Sequence, residues 1–321
     1  MQNQPPDPPI DSQLVRTLLG GEFAITAELT PPVSGAPGTL LERAETLRGA
    51  VDAVNLTDGP RALVHMSALA AAGILLGAGI EPVLQLTCRD RNRIALQSDL
   101  LGVSALGVRN ILVLTGDQPD TNEIPPAKPV FDMDSHELIQ IAAKMRDGLA
   151  LPSGREIESP PELFIGAADM PIDPPPDWAP TGLIRKAEAG AQFAQTQLCF
   201  DIEVVRRYMA RLVDHGMADR VFMMIGIGPL ASARSARWMR DNLYGVIMPD
   251  AIIERMEQAA DAKAEGGRIC AELMQQLNEI SGVAGAHLMA PGNFAGIPGA
   301  VELSGLRKVR TAPPFEISQT R

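Results

Sequence analysis

Val83-Leu-Gln-Leu-Thr87, then Arg93 to Leu106, then Asn110-Ile-Leu-Val-Leu-Thr115: these three consecutive stretches decide the fold. The outer two are short aliphatic runs of strand length, and the middle one reads as a helix. A strand, a helix and another strand in that order form a parallel pair joined by a crossover. Pro82 has no N–H to give a central strand, so the first run is expected to start no earlier than Val83. Working outward, the same unit recurs. Further strands are expected at Phe23–Thr30, Val51–Thr57, Leu163–Ala167, Phe193–Leu198, Arg220–Gly226 and Ala284–Met289. Helical segments lie between them at Leu40–Arg48, Leu63–Leu76, Ser135–Gly148, Thr181–Ala189, Ile202–Asp214, Ala231–Asn242 and Ala251–Ile280, the last broken near Gly266-Gly267. An open doubly wound sheet would want a Gly-x-Gly-x-x-Gly turn after an early strand, and none follows Phe23–Thr30 or Val51–Thr57. Eight such units predict an α/β protein with a closed (β/α)8 barrel of the TIM type.

Length and composition agree with one barrel. The chain has 321 residues, which suits a single barrel domain over 21–305, an N-terminal extension over 1–20 and a C-terminal tail over 306–321. Apolar residues make up 45% and aromatics only 4%, so the core is aliphatic. A net charge of −11 argues against nucleic acid or an anionic membrane as a partner, because both need basic patches. The longest apolar stretch, Ala68 to Ile80, is too short to span a bilayer. The first residues carry neither a basic nor an apolar leader segment, so a cytoplasmic address is expected. Cys88, Cys199 and Cys270 are an odd, widely spaced set that suggests reduced, buried thiols, and no spacing suggests a metal site.

Residues two apart on a strand share a face. In the first strand that rule sets Thr26, Glu28 and Thr30 against the apolar Ile25, Ala27 and Leu29, and turns Glu28 towards the barrel axis. Asn55 and Thr57, Gln85 and Thr87, Gln195 and Gln197, and His287 repeat the pattern, with Asp117 just past the fourth strand. These positions fall at the C-terminal ends of several strands, where barrel enzymes keep their active sites. Two long connections, Asp117–Asp134 and Met170–Pro180, join the same face, although their prolines also suit rigid spacers. Each polar residue has a plainer reading as well. Glu28 could pair with a cation, Asp117 could accept backbone bonds in its turn, and Gln197 could belong to a buried amide network. The run Arg89-Asp-Arg-Asn-Arg93 reads as a solvated loop or an anion holder.

Five blocks then carry a resemblance. Phe23-Ala-Ile-Thr-Ala-Glu28-Leu-Thr-Pro-Pro32, Leu86-Thr-Cys-Arg-Asp-Arg-Asn-Arg93, Asn110-Ile-Leu-Val-Leu-Thr-Gly-Asp117, Ala127-Lys-Pro-Val-Phe-Asp-Met-Asp-Ser135 and Lys186 to Gln197 resemble, in order, the methylenetetrahydrofolate reductase family. The resemblance implies a flavin-dependent enzyme that interconverts 5,10-methylenetetrahydrofolate and 5-methyltetrahydrofolate, with hydride transfer through FAD. It makes Glu28 the general acid for opening the folate ring and sets Asp117 against pterin and flavin. Gln197 would bind folate. Thr57, Gln85, Thr115, Gly116, Ala167, Arg185 and Lys186 would line the flavin, with Arg185 and Lys186 at its phosphates. Tetrahydrofolate derivatives are the implied partners.

The sequence also departs from the family. Gln85 stands for a histidine, Thr115 for an arginine found in many members, and Ala167-Ala-Asp-Met-Pro171 for a Tyr-Pro and histidine loop. Ala233 falls near a phenylalanine that holds the nicotinamide in some members, and Asn293 near a folate-binding arginine. These changes resemble a branch linked to corrinoid or demethylation pathways, which leaves open the use of NAD(P)H, the direction of reaction, and a homo-oligomer or redox partner subunit. Two alternatives stay beside the reductase: a redox-inactive folate-binding barrel or methyltransferase-associated subunit, and a non-enzymatic partner subunit.

Overall fold

The computed structural model describes residues 10–118 and 127–307, and its strands close into a parallel barrel in sequence order. Helix α1 (Gln13–Leu19) precedes β1 (Ala24–Leu29). There follow α2 (Pro37–Glu45), β2 (Ala53–Leu56), α3 (Ala68–Gly77), β3 (Pro82–Thr87), α4 (Arg93–Ala105) and β4 (Asn110–Leu114). Next come α5 (Ser135–Gly148), β5 (Phe164–Asp169), α6 (Thr181–Ala189), β6 (Phe193–Leu198), α7 (Ile202–Asp214) and β7 (Phe222–Ile227). The chain then runs through α8 (Ala233–Asn242), α9 (Asp250–Gln258), α10 (Ala262–Asn278), β8 (Val283–Leu288) and α11 (Ile297–Ser304). β8 pairs with β1 in parallel, which closes the ring. No helix among the described residues is long and apolar enough to cross a membrane. Pro119, Pro125, Pro126, residues 1–9 of the extension and residues 308–321 of the tail lie outside the described residues.

Strand alternation builds two separate cores. Ile25, Ala27, Leu29, Val54, Leu56, Leu84, Leu86, Ile111, Val113, Ile165 and Ala167 face outward into a continuous layer with the helices. On the axis, the N-terminal ends of the strands supply Ala24, Ala53, Val83, Leu112, Phe164, Phe193 and Met224. Leu14, Val15 and Leu18 of α1 pack beneath them and close that end. Phe164 stacks on Phe193 with centroids 4.9 Å apart. Gly166 makes room for this plug, since a Cβ there would lie 2.2 Å from the Phe193 ring.

Two carboxylates tie α1 in place. Glu81 accepts from Leu14 N at 2.9 Å, from the Ser12 hydroxyl at 2.7 Å and from Asn110 Nδ2 at 2.9 Å. An anion at a helix N-terminus satisfies free N–H groups and opposes the helix dipole. Asp52 accepts from Ile25 N at 2.8 Å and from the Thr17 hydroxyl at 3.0 Å, and pairs with Arg307 at 2.6 Å. Open space on the axis is therefore left at the C-terminal end.

Several local expectations are corrected. β3 begins at Pro82, one residue earlier than expected, because a strand's first position tolerates a missing donor; the Pro82 carbonyl accepts from Asn110 Nδ2 at 3.2 Å. The break in the long helical stretch falls at residues 259–261, and α10 runs unbroken through Gly266-Gly267. Gly266 serves packing instead: a Cβ there would lie 2.0 Å from the Leu230 carbonyl oxygen after β7. The third helix starts only at Ala68, following a short 3-10 turn over Pro60–Ala62.

Candidate active site

At the C-terminal end of the barrel two cavities share a wall made by Glu28, Gln85, Leu114 and Asp117. The smaller, about 360 Å³, is bounded by Thr57, Asp58, Arg61, Thr87, Arg89, Thr115 and Gly116. The larger, about 540 Å³, lies over Gln195 and His287 and is walled by Asp169, Lys186, Gln197 and Tyr244. Glu28, Asp117 and Gln197 thus face one space, contributed by β1, the turn after β4, and β6.

Glu28 is paired in register with Asn55 and accepts from Gln85 Nε2 at 3.3 Å. No cation pairs with it among the described residues, so the structural ion pair weighed for it is not made. Part of its surface opens to the cavity, but the packed wall around it dominates its electrostatics. Burial pushes its carboxyl above the ordinary value of 4.5, and the Gln85 hydrogen bond only partly offsets this. A carboxyl in that state keeps its proton into a pH range where an ordinary glutamate has lost it.

The floor of the larger cavity is a neutral polar network. Gln195 Nε2 donates to Asn55 Oδ1 at 3.1 Å and to the Thr26 hydroxyl at 3.0 Å. That hydroxyl lies 3.0 Å from His287 Nδ1. Burial drives the His287 pKa down to about 3, so the ring is uncharged at neutral pH. β6 carries an irregularity here: Gln195 pairs with Met224 but Leu198 with Gly226, and the Thr196 hydroxyl accepts from Gly226 N at 2.8 Å. Such a bulge re-aims neighbouring side chains, and the Gln195 to Gln197 stretch lines the cavity. Gln197 itself donates to the Tyr244 carbonyl at 3.1 Å and accepts from Leu198 N at 2.9 Å.

The rim of the smaller cavity is held by charges that the sequence did not reveal as structural. Arg89 is only 2% exposed; its guanidinium donates to Asp90 and to the Gly59 carbonyl at 3.0 Å. Asp58 accepts from Thr87 N and the Thr87 hydroxyl, both at 2.9 Å, and from Arg91, which also reaches Asp99 at 3.0 Å. The expected solvated loop is thus a set of ion pairs anchoring the turn after β2. Gly116 sits at φ +92° with Thr87 and Arg89 close against it, so a Cβ would be 3.0 Å from Arg89 Cβ. The Thr57 hydroxyl on the same cavity is buried and has no hydrogen-bond partner among the described residues.

Comparison with known proteins adds a family to this geometry. The methylenetetrahydrofolate reductase family model matches residues 13–293. The chain belongs to the methylenetetrahydrofolate reductase family. The 5,10-methylenetetrahydrofolate reductase of Salmonella typhimurium is 28% identical over 170 residues, 53% of this chain and 51% of that protein. A probable NADPH-dependent methylenetetrahydrofolate reductase of Caenorhabditis elegans is 26% identical over 299 residues, 88% of this chain and 42% of that protein. The matched region spans about half the length of these curated relatives. A solved barrel from Clostridium thermocellum, described as binding two copies of 5-methyl-5,6,7,8-tetrahydrofolic acid, superposes with a TM-score of 0.57 at 13% identity. That match covers 91% of this chain and 97% of the other, and it bears on the fold alone.

The positions that the family resemblance singles out do not all meet. Thr57, Gln85, Thr115, Gly116 and Asp117 line the smaller cavity, and Lys186 the larger one. Ala167 does not: its side chain is packed in the layer between sheet and helices, and Ala168 lines the cavity instead. Arg185 is exposed on α6 and lines neither cavity, while Lys186 reaches inward and donates to the Ala168 carbonyl at 2.6 Å. Adjacent residues on a helix point about 100° apart, so one cation faces the site and its neighbour does not. Asn293, near the family's folate-binding arginine, is buried and donates to the Leu230 carbonyl at 3.0 Å as a structural tie.

Asp169 is the site residue that the sequence reading did not single out. It ends β5 on the cavity wall, accepts from the fully buried Tyr208 hydroxyl at 2.5 Å, and has its carboxyl raised chiefly by burial. Its position at a strand's C-terminal end was the available signal. The cysteines are buried, and burial pushes the thiols of Cys88 and Cys199 up to about 12, which removes them as nucleophiles at neutral pH. Among the described residues no group of side chains forms a metal cluster.

Proposed function

We propose that this chain interconverts 5,10-methylenetetrahydrofolate and 5-methyltetrahydrofolate with FAD as its redox cofactor, Glu28 acting as general acid. The single observation that carries the reading is Glu28 itself: a carboxyl raised by burial, with no cation paired to it among the described residues, on the wall shared by both cavities. Opening the imidazolidine ring of the methylene substrate breaks the bond between its bridging carbon and one nitrogen. The Glu28 proton goes to that nitrogen, leaving an iminium at the other, and hydride addition there yields the methyl group. In the reverse sense Glu28 takes the proton back as the ring closes. A flavin bound there would supply or accept the hydride.

The chain's own residues suit a flavin in the smaller cavity. Among the described residues the buried Thr57 hydroxyl lacks a partner, and Gly116 leaves the backbone approachable where a Cβ would crowd Thr87 and Arg89. Lys186, across the shared wall in the larger cavity, is the cation that the flavin's phosphates would reach, with Arg185 at the outer edge of α6. Asp117 and Gln197 would orient the pterin from opposite walls of the larger cavity. The folate-binding description of the Clostridium thermocellum barrel is in keeping with this substrate class.

Glu28→Gln keeps the size of the side chain and removes its proton. Positioned acid catalysis contributes roughly 10²–10⁴-fold, so folate turnover should fall by that order while flavin reduction by an artificial donor persists. Stopped-flow measurement of the two half-reactions separates them. Normal folate turnover in the variant would remove Glu28 from the mechanism, and a colourless protein that still binds 5-methyltetrahydrofolate would favour a redox-inactive folate barrel.

A further inference from the structure

We propose that His287 is a substrate-positioning residue whose ring is held as the Nε2–H form by Thr26, presenting a hydrogen-bond donor at the floor of the larger cavity to an uncharged acceptor of the pterin ring. The inference deepens the folate reading above and rests on it.

The argument follows the protons. Gln195 is committed on both sides: one amide hydrogen goes to Asn55 Oδ1 and the other to the Thr26 hydroxyl oxygen. Asn55 Nδ2 returns a bond to Gln195 Oε1, so the two amides lock each other's orientation. The Thr26 oxygen thus already accepts once, and among the described residues His287 Nδ1, 3.0 Å away, is the acceptor placed for its proton, so the proton is assigned to that bond. A neutral imidazole that accepts at Nδ1 carries its hydrogen on Nε2. Because Nδ1 is engaged and the ring lines the cavity, Nε2 is the atom left for a ligand.

The chemistry of this donor selects its partner. The ring is uncharged, and no cation lies in the network that positions it. The glutamyl tail of a folate, which carries carboxylates, gains little from such a floor and belongs at the open mouth. A ring carbonyl or ring nitrogen of the pterin offers a lone pair without charge and matches it. Register pairs Thr26 with His287, while Glu28 lies two residues further along β1 on the same face. The donor therefore sits one layer below the acid, where it can set the depth to which the pterin enters.

The chain has four histidines, so selective side-chain ¹⁵N labelling gives a small set of signals, and His287→Phe identifies the relevant one. In the ligand-free protein His287 should show a protonated Nε2 and a bare Nδ1. Thr26→Val should blur that into a mixture of the two neutral forms, a change that a merely structural hydroxyl would not produce. Adding 5-methyltetrahydrofolate should shift the His287 Nε2–H signal together with the Gln197 side-chain amide, and His287→Phe should weaken its binding roughly tenfold. A protonated Nδ1 in the free protein overturns the proposal. So does a folate-induced shift at Gln197 that leaves His287 unmoved, with the folate reading intact. Absence of both shifts overturns the folate reading and this proposal with it.

Discussion

At its N-terminal end the barrel axis is filled by Leu14, Phe164 and Phe193; at its C-terminal end the same strands present Glu28, Gln85 and His287 to open space. The first end surrounds its two carboxylates, Glu81 and Asp52, with hydrogen-bond donors and a cation. Among the described residues, the second leaves a carboxyl without a cation and a buried hydroxyl without a partner. A packed, paired end contributes stability, and an end with unspent polar groups costs some of it. The contrast locates the work of the protein better than any single residue does, because one sheet carries both patterns.

The contrast is broken most forcefully from below. Phe193→Ala removes a fully buried ring from the plug and its stack on Phe164. Truncating a buried Phe costs about 3–5 kcal/mol, part of it the cavity left behind. Chemical denaturation should show that loss, while 5-methyltetrahydrofolate affinity of the remaining folded protein stays within a factor of two or so if the two ends are independent, as distant sites usually are. A proportionate fall in affinity would mean that the plug shapes the mouth. A smaller effect is expected from Glu81→Ala, which removes the carboxylate at the α1 N-terminus, leaving the Ser12 cap, and leaves Asn110 without its carboxylate. About 1–3 kcal/mol is the usual cost of such unsatisfied groups. Hydrogen exchange should accelerate over α1 first and leave β6 untouched.

The barrel and its polar mouth were legible because strand period and loop position are local facts. Thr26 and Glu28 separate from Ile25 and Ala27 by alternation alone, and the closed ring follows from the count of strand–helix units. What escaped depends on partners distant in sequence. Arg89 looks solvated until the turn at Asp58 and Gly59, some thirty positions earlier, folds over it. Helix α1 looks like an appendage until Glu81 caps it from the other side of the barrel floor. Asp169 gains its character from Tyr208 on α7, beyond the following helix and strand. Ala167 and Ala168 differ by one place at a strand end, and one place reverses the face. Resemblance to a family supplies which positions matter but not their rotation about a helix, which is why Arg185 and Lys186 part company.

The pH dependence of stability sharpens the contrast further. Burial holds the Glu28 carboxyl above its ordinary value, so the folded state keeps a proton that the unfolded chain gives up. Stability must then decline as pH rises from the ordinary glutamate range through the raised folded value. Asp169, raised chiefly by burial as well, adds to the same slope. In Glu28→Gln the Glu28 share disappears. The difference between the two melting-temperature profiles should therefore be near zero in acid and grow in the variant's favour towards neutral pH. A variant less stable than the parent at neutral pH would mean that the ionised carboxylate is supported by groups the geometry does not show.

The smallest expected effect tests the mouth alone. The Thr57 hydroxyl is buried at the smaller cavity without a partner among the described residues, so the ligand-free protein carries its desolvation without a compensating bond. An unsatisfied buried hydroxyl costs about 1–3 kcal/mol, and an apolar group of the same shape avoids that cost. Thr57→Val has that shape, replacing the hydroxyl by a methyl. Part of the gain is lost to imperfect packing, so the ligand-free protein should become more stable by about 0.5–1 kcal/mol. Flavin retention should move the opposite way, because the group that the hydroxyl awaits would no longer find it. Melting curves with and without added FAD read both quantities in one titration. Opposite signs would establish that the mouth holds its polar groups for a ligand at the expense of the empty fold; a loss of stability without FAD would make Thr57 an ordinary member of the core and return the hydroxyl to packing.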